Sequence, residues 1–148
     1  MAYTNALSAY RETRVKTASQ GQLIIMLYDE AVRQLDMGLD LLGENLSEKK
    51  DPGRIEQISK AILKTQEIIT ELMVSLDFEQ GGEIAKNLFS LYTWFNHELL
   101  EANIRQDLKQ ITLIRRMICE LRGAWSEIIA KNTAEGMGRP SSGVNIAG

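Results

Sequence analysis

The stretch that decides the fold runs from residue 55 to residue 76 and reads Ile-Glu-Gln-Ile-Ser-Lys-Ala-Ile-Leu-Lys-Thr-Gln-Glu-Ile-Ile-Thr-Glu-Leu-Met-Val-Ser-Leu. Its seam positions recur in alternating steps of three and four residues, at Ile55, Ile58, Ile62, Thr65, Ile69, Leu72 and Leu76. This spacing places the side chains along one side of an α-helix and is typical of a left-handed helical bundle. We predict a helix over residues 53–77.

Three other segments show helical spacing, over residues 19–45, 82–103 and 107–130. Their predicted core positions are Ile24, Leu27, Tyr28, Ala31, Leu35 and Leu42; Ile84, Leu88, Leu91, Tyr92, Phe95, Leu99 and Ala102; and Ile111, Ile114, Ile118, Leu121, Trp125 and Ile128. Residues 47–53 predict a turn and Gly81-Gly82 a break. Because short loops favour antiparallel neighbours, we expect an all-α, antiparallel up-down-up-down four-helix bundle.

The ends of the helices also carry recognisable signals. Ser19 and Gln22 form a capping box at the start of the first helix. Asn103 can close the third helix and Asp107 can cap the fourth. Residues 1–18 predict an N-terminal arm, because they hold only scattered apolar side chains. Residues 131–148 predict a disordered tail, since a segment rich in Gly and Ser buries too little surface to offset its ordering entropy.

Composition narrows the class of protein. At 148 residues the chain fits one domain, and its net charge of −3 gives no electrostatic basis for binding nucleic acid. No run approaches the ~18 apolar residues of a membrane span, and residues 1–5 lack the pattern of a signal peptide. A single cysteine, Cys119, cannot form an internal disulfide. We therefore expect a cytoplasmic protein that is not inserted in a membrane.

Catalytic and metal-binding patterns are not found in the sequence. A di-metal bundle needs Glu-x-x-His on each of two helices, but the one histidine, His97, follows Trp94 at that spacing. His97 and Glu101 share a helix face, yet two ligands do not make a site. Cys119 has no nearby base to activate it. We therefore expect no enzyme and no cofactor, and a helical-bundle metalloenzyme is kept as the least favoured alternative.

Binding is the remaining function, and large apolar side chains outside the predicted core support it. When the seam of the second helix faces the core, a flank without charges faces the third helix. The first helix also has apolar residues outside its seam, Leu23, Met26, Met37 and Leu41. Wide core stripes account for about half of all the apolar residues outside the seams. The rest predict an exposed groove for an amphipathic helix. The groove residues we predict are Ser59, Leu63, Gln66, Thr70, Val74, Phe89, Tyr92 and Leu100.

Four strings in the chain resemble the FliS family of flagellar secretion chaperones. They are Val15-Lys-Thr-Ala-Ser-Gln-Gly-Gln-Leu-Ile-Ile-Met-Leu-Tyr-Asp-Glu-Ala31, Gly81-Gly-Glu-Ile-Ala-Lys-Asn-Leu-Phe-Ser-Leu-Tyr92, Leu99-Leu-Glu-Ala-Asn-Ile-Arg-Gln-Asp107 and Ala124-Trp125. They occur in the family's order, and the resemblance covers roughly residues 5–130. The chain departs from the family's pattern at Glu30, where a small residue is usual, and at Trp94-Phe95.

The resemblance implies a function that the residues alone do not. It implies an antiparallel bundle that binds the C-terminal segment of flagellin one-to-one, prevents premature polymerisation and delivers flagellin to the type III export gate. It also implies that the arm folds over part of the groove and that Leu7 and Tyr10 contribute to docking on the gate. The alternative is a bundle adaptor for some other amphipathic helix.

Overall fold

The computed structural model describes residues 20–47 and 51–138, with side chains as far as residue 131. It contains four helices, α1 (Gln20–Ser47), α2 (Pro52–Val74), α3 (Phe78–Arg105) and α4 (Leu108–Gly138), and no strand within the described ranges. Helix α1 packs against α2 and α4, while α3 packs against α2 and α4. Each helix thus contacts its neighbours in the chain, and α1 with α4 closes the ring. The predicted four-helix bundle is confirmed.

Helix α2 begins within the predicted turn. Asp51 has an extended backbone conformation, and its carboxylate accepts a hydrogen bond from the Gly53 amide at 2.9 Å. Pro52 occupies the first helical position, where its missing N–H removes no hydrogen bond and its fixed φ favours the helix. The helix ends at Val74, followed by the cap residue Ser75. Its predicted end at residue 77 is therefore three residues late.

Helix α3 begins before the glycines that predicted a break. The Asp77 carboxylate accepts hydrogen bonds at 3.0 Å from the amides of Glu79 and Gln80, so the helix begins at Phe78 instead of residue 82. Gly82 then leaves the helical conformation, with φ 48° and ψ −125°. The predicted break is present as a kink inside α3.

The link between α3 and α4 confirms one predicted cap and corrects another. Gln106 adopts the left-handed conformation, with φ 54° and ψ 49°, and ends α3. Asn103 does not close the helix, because its side chain turns towards α2 and accepts a hydrogen bond there. The Asp107 carboxylate accepts from the Gln110 amide at 3.1 Å and caps α4 as predicted. Ser19, the predicted cap of α1, lies outside the described residues.

Helix α4 continues to Gly138, eight residues beyond its predicted end and into the segment predicted to be a disordered tail. Once a helix exists, each added residue gains a main-chain hydrogen bond, so a helix can extend without burying apolar surface. Pro140 disfavours the helical conformation in the residue before it. Residues 139–148 lie outside the described part of the chain.

The core contains most of the predicted side chains. Tyr28, Leu35, Ile62, Ile69, Phe95, Leu99, Ile111 and Ile114 are among those almost completely buried. Three predicted core residues are exposed instead, Ile55 (39 %), Ile84 (70 %) and Ile128 (50 %). Ile55 and Ile84 lie in the first two turns of α2 and α3, and Ile128 lies level with the start of α1, where Gly21 approaches Ile129. Leu23, placed off the seam, is buried, since α1 packs against two helices and needs a wider apolar stripe.

A polar cluster crosses the apolar core. The hydroxyls of Tyr28 and Tyr92 are hydrogen-bonded to each other, and Trp125 Nε1 donates to the Tyr28 hydroxyl at 3.0 Å. Burial raises the pKa of both tyrosines. These bonds join α1, α3 and α4.

No helix, in the ranges described, has the length and apolar character needed to cross a membrane.

Candidate functional site

Hydrogen bonds between α2 and α3 fix how the two helices align. Ser59 Oγ donates to Asn103 Oδ1 at 3.1 Å, and Gln66 Nε2 donates to the main-chain oxygen of Asn96 at 2.8 Å. Asn96 Nδ2 also donates to Thr70 Oγ1 at 3.2 Å. Seven residues forward along α2 correspond to seven residues back along α3, as antiparallel helices require.

Large apolar side chains stand between and beyond these polar contacts. Leu63 lies between Ser59 and Gln66 on α2 and is level with Leu100 on α3. One turn beyond Thr70, Val74 is level with Phe89. These four side chains are exposed to extents of 54 % for Leu63, 47 % for Leu100, 74 % for Val74 and 43 % for Phe89. The α2–α3 groove is defined here by Ser59, Leu63, Gln66, Thr70, Val74, Phe89, Asn96, Leu100 and Asn103.

Apolar side chains lie next to both ends of the α2–α3 groove. At one end, the Phe78 ring packs edge-on against Phe89 with 5.9 Å between centroids. Beyond the other end, Ile104 is 69 % exposed. From Ser59 to Val74 the groove is about 22 Å long at 1.5 Å per helical residue. Since its defining residues carry no charge, the surface suits one apolar face of a helix of about four turns.

Seven of the eight predicted groove residues lie together in this groove, and Tyr92 does not. Tyr92 is 2 % exposed and its hydroxyl is bonded to Tyr28, so it belongs to the core. Its position three residues before Phe95 and seven before Leu99, both fully buried, places it on the inward side of α3. The prediction that Tyr92 is a groove residue is therefore wrong, and its prediction as a core residue is correct.

Asn96 and Asn103 complete the groove, but the sequence analysis predicted neither as a groove residue and named Asn103 only as a helix cap. The available signal was their spacing, because Asn96 lies seven residues after Phe89 and four before Leu100 on one helix face. The Oδ1 atom of Asn96 is buried and has no hydrogen-bond partner in the part of the chain that the structure describes. A buried acceptor without a hydrogen-bond partner lowers the free energy of unfolding.

A cavity of about 220 Å³ lies at the end of the bundle where α1 begins and α2 ends. Its lining is mostly apolar and comes from all four helices, including Ile24, Leu72, Ile84, Leu88, Tyr92 and Trp125. Ile84, which the sequence placed in the core, is exposed here. A cavity of about 150 Å³ accommodates benzene, so this one has room for a bulky apolar side chain.

The polar groups outside the groove form ordinary surface contacts. Glu101 and Arg105 form an ion pair with 3.6 Å between nitrogen and oxygen, and His97 is exposed. Across residues 20–47 and 51–131, no group of three or more His, Cys, Asp or Glu side chains could hold a metal ion. The main chemical property of the α2–α3 groove is therefore exposed apolar surface with central hydrogen-bonding groups.

Comparison with known proteins finds a family model and several relatives that share one name. A family model described as flagellar protein FliS matches residues 3–132. The flagellar secretion chaperone FliS of Salmonella typhimurium is 35 % identical over 121 residues, which cover 81 % of this chain and 84 % of the relative. Its namesake in Escherichia coli is 33 % identical over 78 % of this chain and 80 % of the relative. That of Bacillus subtilis is 26 % identical over 87 % of this chain and 90 % of the relative.

Proposed function

The chain belongs to the FliS family of flagellar proteins, and we propose that it binds the C-terminal segment of flagellin in the α2–α3 groove. Its relatives are named flagellar secretion chaperones. The chain is therefore a chaperone of flagellar secretion with a non-enzymatic role, as the resemblance predicted. The identity of the export substrate and the place where it binds are the proposal.

The exposed apolar surface of the α2–α3 groove is the observation that carries this proposal. Four large apolar side chains, Leu63, Val74, Phe89 and Leu100, are each at least 43 % exposed on one uncharged face. Exposed apolar patches on a folded domain usually mark an interaction site. A groove between two helices accommodates the apolar face of a third helix. The partner is therefore a segment with an amphipathic helix.

Flagellin's C-terminal segment has the chemistry that such a groove binds. In the filament, the terminal helices of flagellin bury apolar faces against neighbouring subunits. Covering the same faces before export prevents premature polymerisation by direct competition. A segment that folds on binding offsets part of its contact energy with ordering entropy, which moderates affinity and favours release at the type III export gate.

The N-terminal arm, residues 1–18, is a second part of the proposal. The family resemblance implies that the arm covers part of the groove until flagellin displaces it. Leu7 and Tyr10 stand at the positions implied to dock on the export gate. Both residues lie outside the described part of the chain, so this role rests on the resemblance.

Calorimetric titration with peptides from the two ends of flagellin tests the proposal. We expect one-to-one binding of the C-terminal peptide with a negative heat-capacity change, because apolar surface is buried. The N-terminal peptide is the matched control, since it too forms amphipathic helices. Binding of the N-terminal peptide alone would contradict the proposal and favour an adaptor for a different helix.

A further inference from the structure

The centre of the α2–α3 groove is polar, although both of its flanks are apolar. Gln66, Thr70 and Asn96 join the two helices through side-chain hydrogen bonds, and we call these three residues the amide bridge. The Leu63–Leu100 pair lies on one side of the amide bridge and the Val74–Phe89 pair on the other. The two apolar pairs are eleven residues apart along α2, which is about 16.5 Å.

We propose that the amide bridge sets the register of the bound helix by rejecting large apolar side chains at the centre of the groove. This inference rests on the proposed function, because it specifies which sequence pattern the export substrate presents to the same groove. The segment selected has a large apolar residue at each of two positions eleven apart. Between them it carries small or hydrogen-bonding residues.

Helix geometry gives the positions of those residues. A helix that lies along the groove advances 1.5 Å per residue, and its residues i, i+4, i+7 and i+11 share one face. Residues i and i+11 then meet the two apolar pairs, while i+4 and i+7 meet the amide bridge. The pattern is the same when it is read backwards. It therefore holds whether the bound helix runs parallel or antiparallel to α2.

The amide bridge disfavours an apolar cover because its exposed hydroxyl and amide groups retain hydrogen-bonding capacity that only a polar side chain can satisfy. Asn96 Oδ1 is buried already, so a bound helix does not change its surroundings. Thr70 is exposed, and the bond from Asn96 Nδ2 to Thr70 Oγ1 uses only one of the two N–H groups of that amide and one of the two lone pairs of that hydroxyl. A leucine laid across these groups removes water and supplies no hydrogen bond, so their desolvation is uncompensated. A serine, threonine or asparagine side chain at the same place can bond with them. The penalty therefore depends on the partner's residue type and gives specificity.

The substitution Asn96→Leu isolates this effect with little damage to the bundle. The bond from Gln66 Nε2 remains, since its acceptor is the main-chain oxygen of residue 96. The Thr70 hydroxyl also keeps its bond to the Gln66 main-chain oxygen, at 2.9 Å. The variant removes the unpaired Oδ1 and should fold at least as well as the unmodified chain. Asn87→Leu is the control, because Asn87 is exposed and lies nine residues away on the opposite side of α3.

The experiment measures the affinity of the full chain for a C-terminal flagellin peptide in which single residues are changed in turn. Polar and small positions are changed to leucine, and large apolar positions to asparagine. We expect asparagine to weaken binding at two positions eleven apart. Leucine at the fourth and seventh positions after the first of them should weaken it by about tenfold. In the Asn96→Leu variant that leucine penalty should fall to about twofold, while Asn87→Leu leaves it unchanged.

Two results would overturn the inference while the proposed function stands. The first is a C-terminal peptide that binds normally and gains affinity from leucine at the two central positions. The second is a leucine penalty that stays the same in Asn96→Leu. A C-terminal peptide that does not bind the unmodified chain at all would overturn the proposed function and this inference with it.

Discussion

At Gly82 the backbone has φ 48° and ψ −125°, a conformation that side chains with a Cβ atom rarely adopt. It allows the capped turn after Asp77 to precede the long part of α3, so that Phe78 reaches Phe89. The sequence shows that Gly81-Gly82 interrupts a helix. It does not show that Asp77 caps a further turn, because a cap depends on which of several competing local hydrogen bonds forms.

Replacing Gly82 by alanine should destabilise the bundle by about 1–3 kcal/mol, the cost of holding a non-glycine residue in a strained conformation. No other atom lies within 4 Å of the added Cβ, so the effect comes from the backbone alone. Urea unfolding measures the change. Gly123→Ala in α4 is the control, since its added Cβ is also free of contacts and alanine favours a helix by about 0.5–1 kcal/mol. Equal changes in the two variants would show that Gly82 is not strained.

At the scale of the element, helix α2 has a core face and a second face that lines the α2–α3 groove. Its seam from Ile58 to Leu72 is predictable because heptad spacing is a local property of the sequence. The same spacing identifies Leu63 and Val74 as side chains outside the seam. The partnership with Asn96 is not predictable in this way, because it depends on the alignment of α3 against α2. Tyr92 was misplaced for the same reason, since a seam residue and a groove residue can be only one turn apart.

Aspartate substitutions on the two faces of α2 should have opposite consequences for stability. Ile69 is 1 % exposed, so Ile69→Asp places an unpaired charge in the core and should unfold the domain. Leu63 is 54 % exposed, and Leu63→Asp should change the free energy of unfolding by at most about 0.5 kcal/mol. Circular dichroism during thermal unfolding measures both variants. Comparable losses would mean that Leu63 is a core residue and that the groove has been misplaced.

At the scale of the whole molecule, the predicted arm, residues 1–18, precedes a bundle that presents the α2–α3 groove. The bundle and the order of its helices follow from four amphipathic segments joined by short links. The effect of the arm does not follow from these segments. An arm that covers the groove would reduce the apparent affinity for flagellin in proportion to the fraction of molecules in which the groove is already uncovered.

Deletion of residues 1–16 separates a covering arm from a binding arm. The deletion spares Ser19 and Gln22, so α1 should keep its start. If the arm competes with flagellin, the shortened chain binds the C-terminal peptide at least as tightly and with a faster association rate. Stopped-flow fluorescence gives that rate. Much weaker binding after truncation would show that the arm forms part of the flagellin site.

The most direct measurement on the central claim is the affinity of Leu63→Asp for the C-terminal flagellin peptide. A charge within the groove has to be desolvated when the peptide binds, so we predict that affinity falls by more than about tenfold. Leu46→Asp in α1 is the matched control, because Leu46 is 51 % exposed and lies outside the α2–α3 groove. It should leave the affinity within about twofold of the unmodified chain. Unchanged affinity in a folded Leu63→Asp protein would contradict the assignment of the α2–α3 groove as the flagellin site.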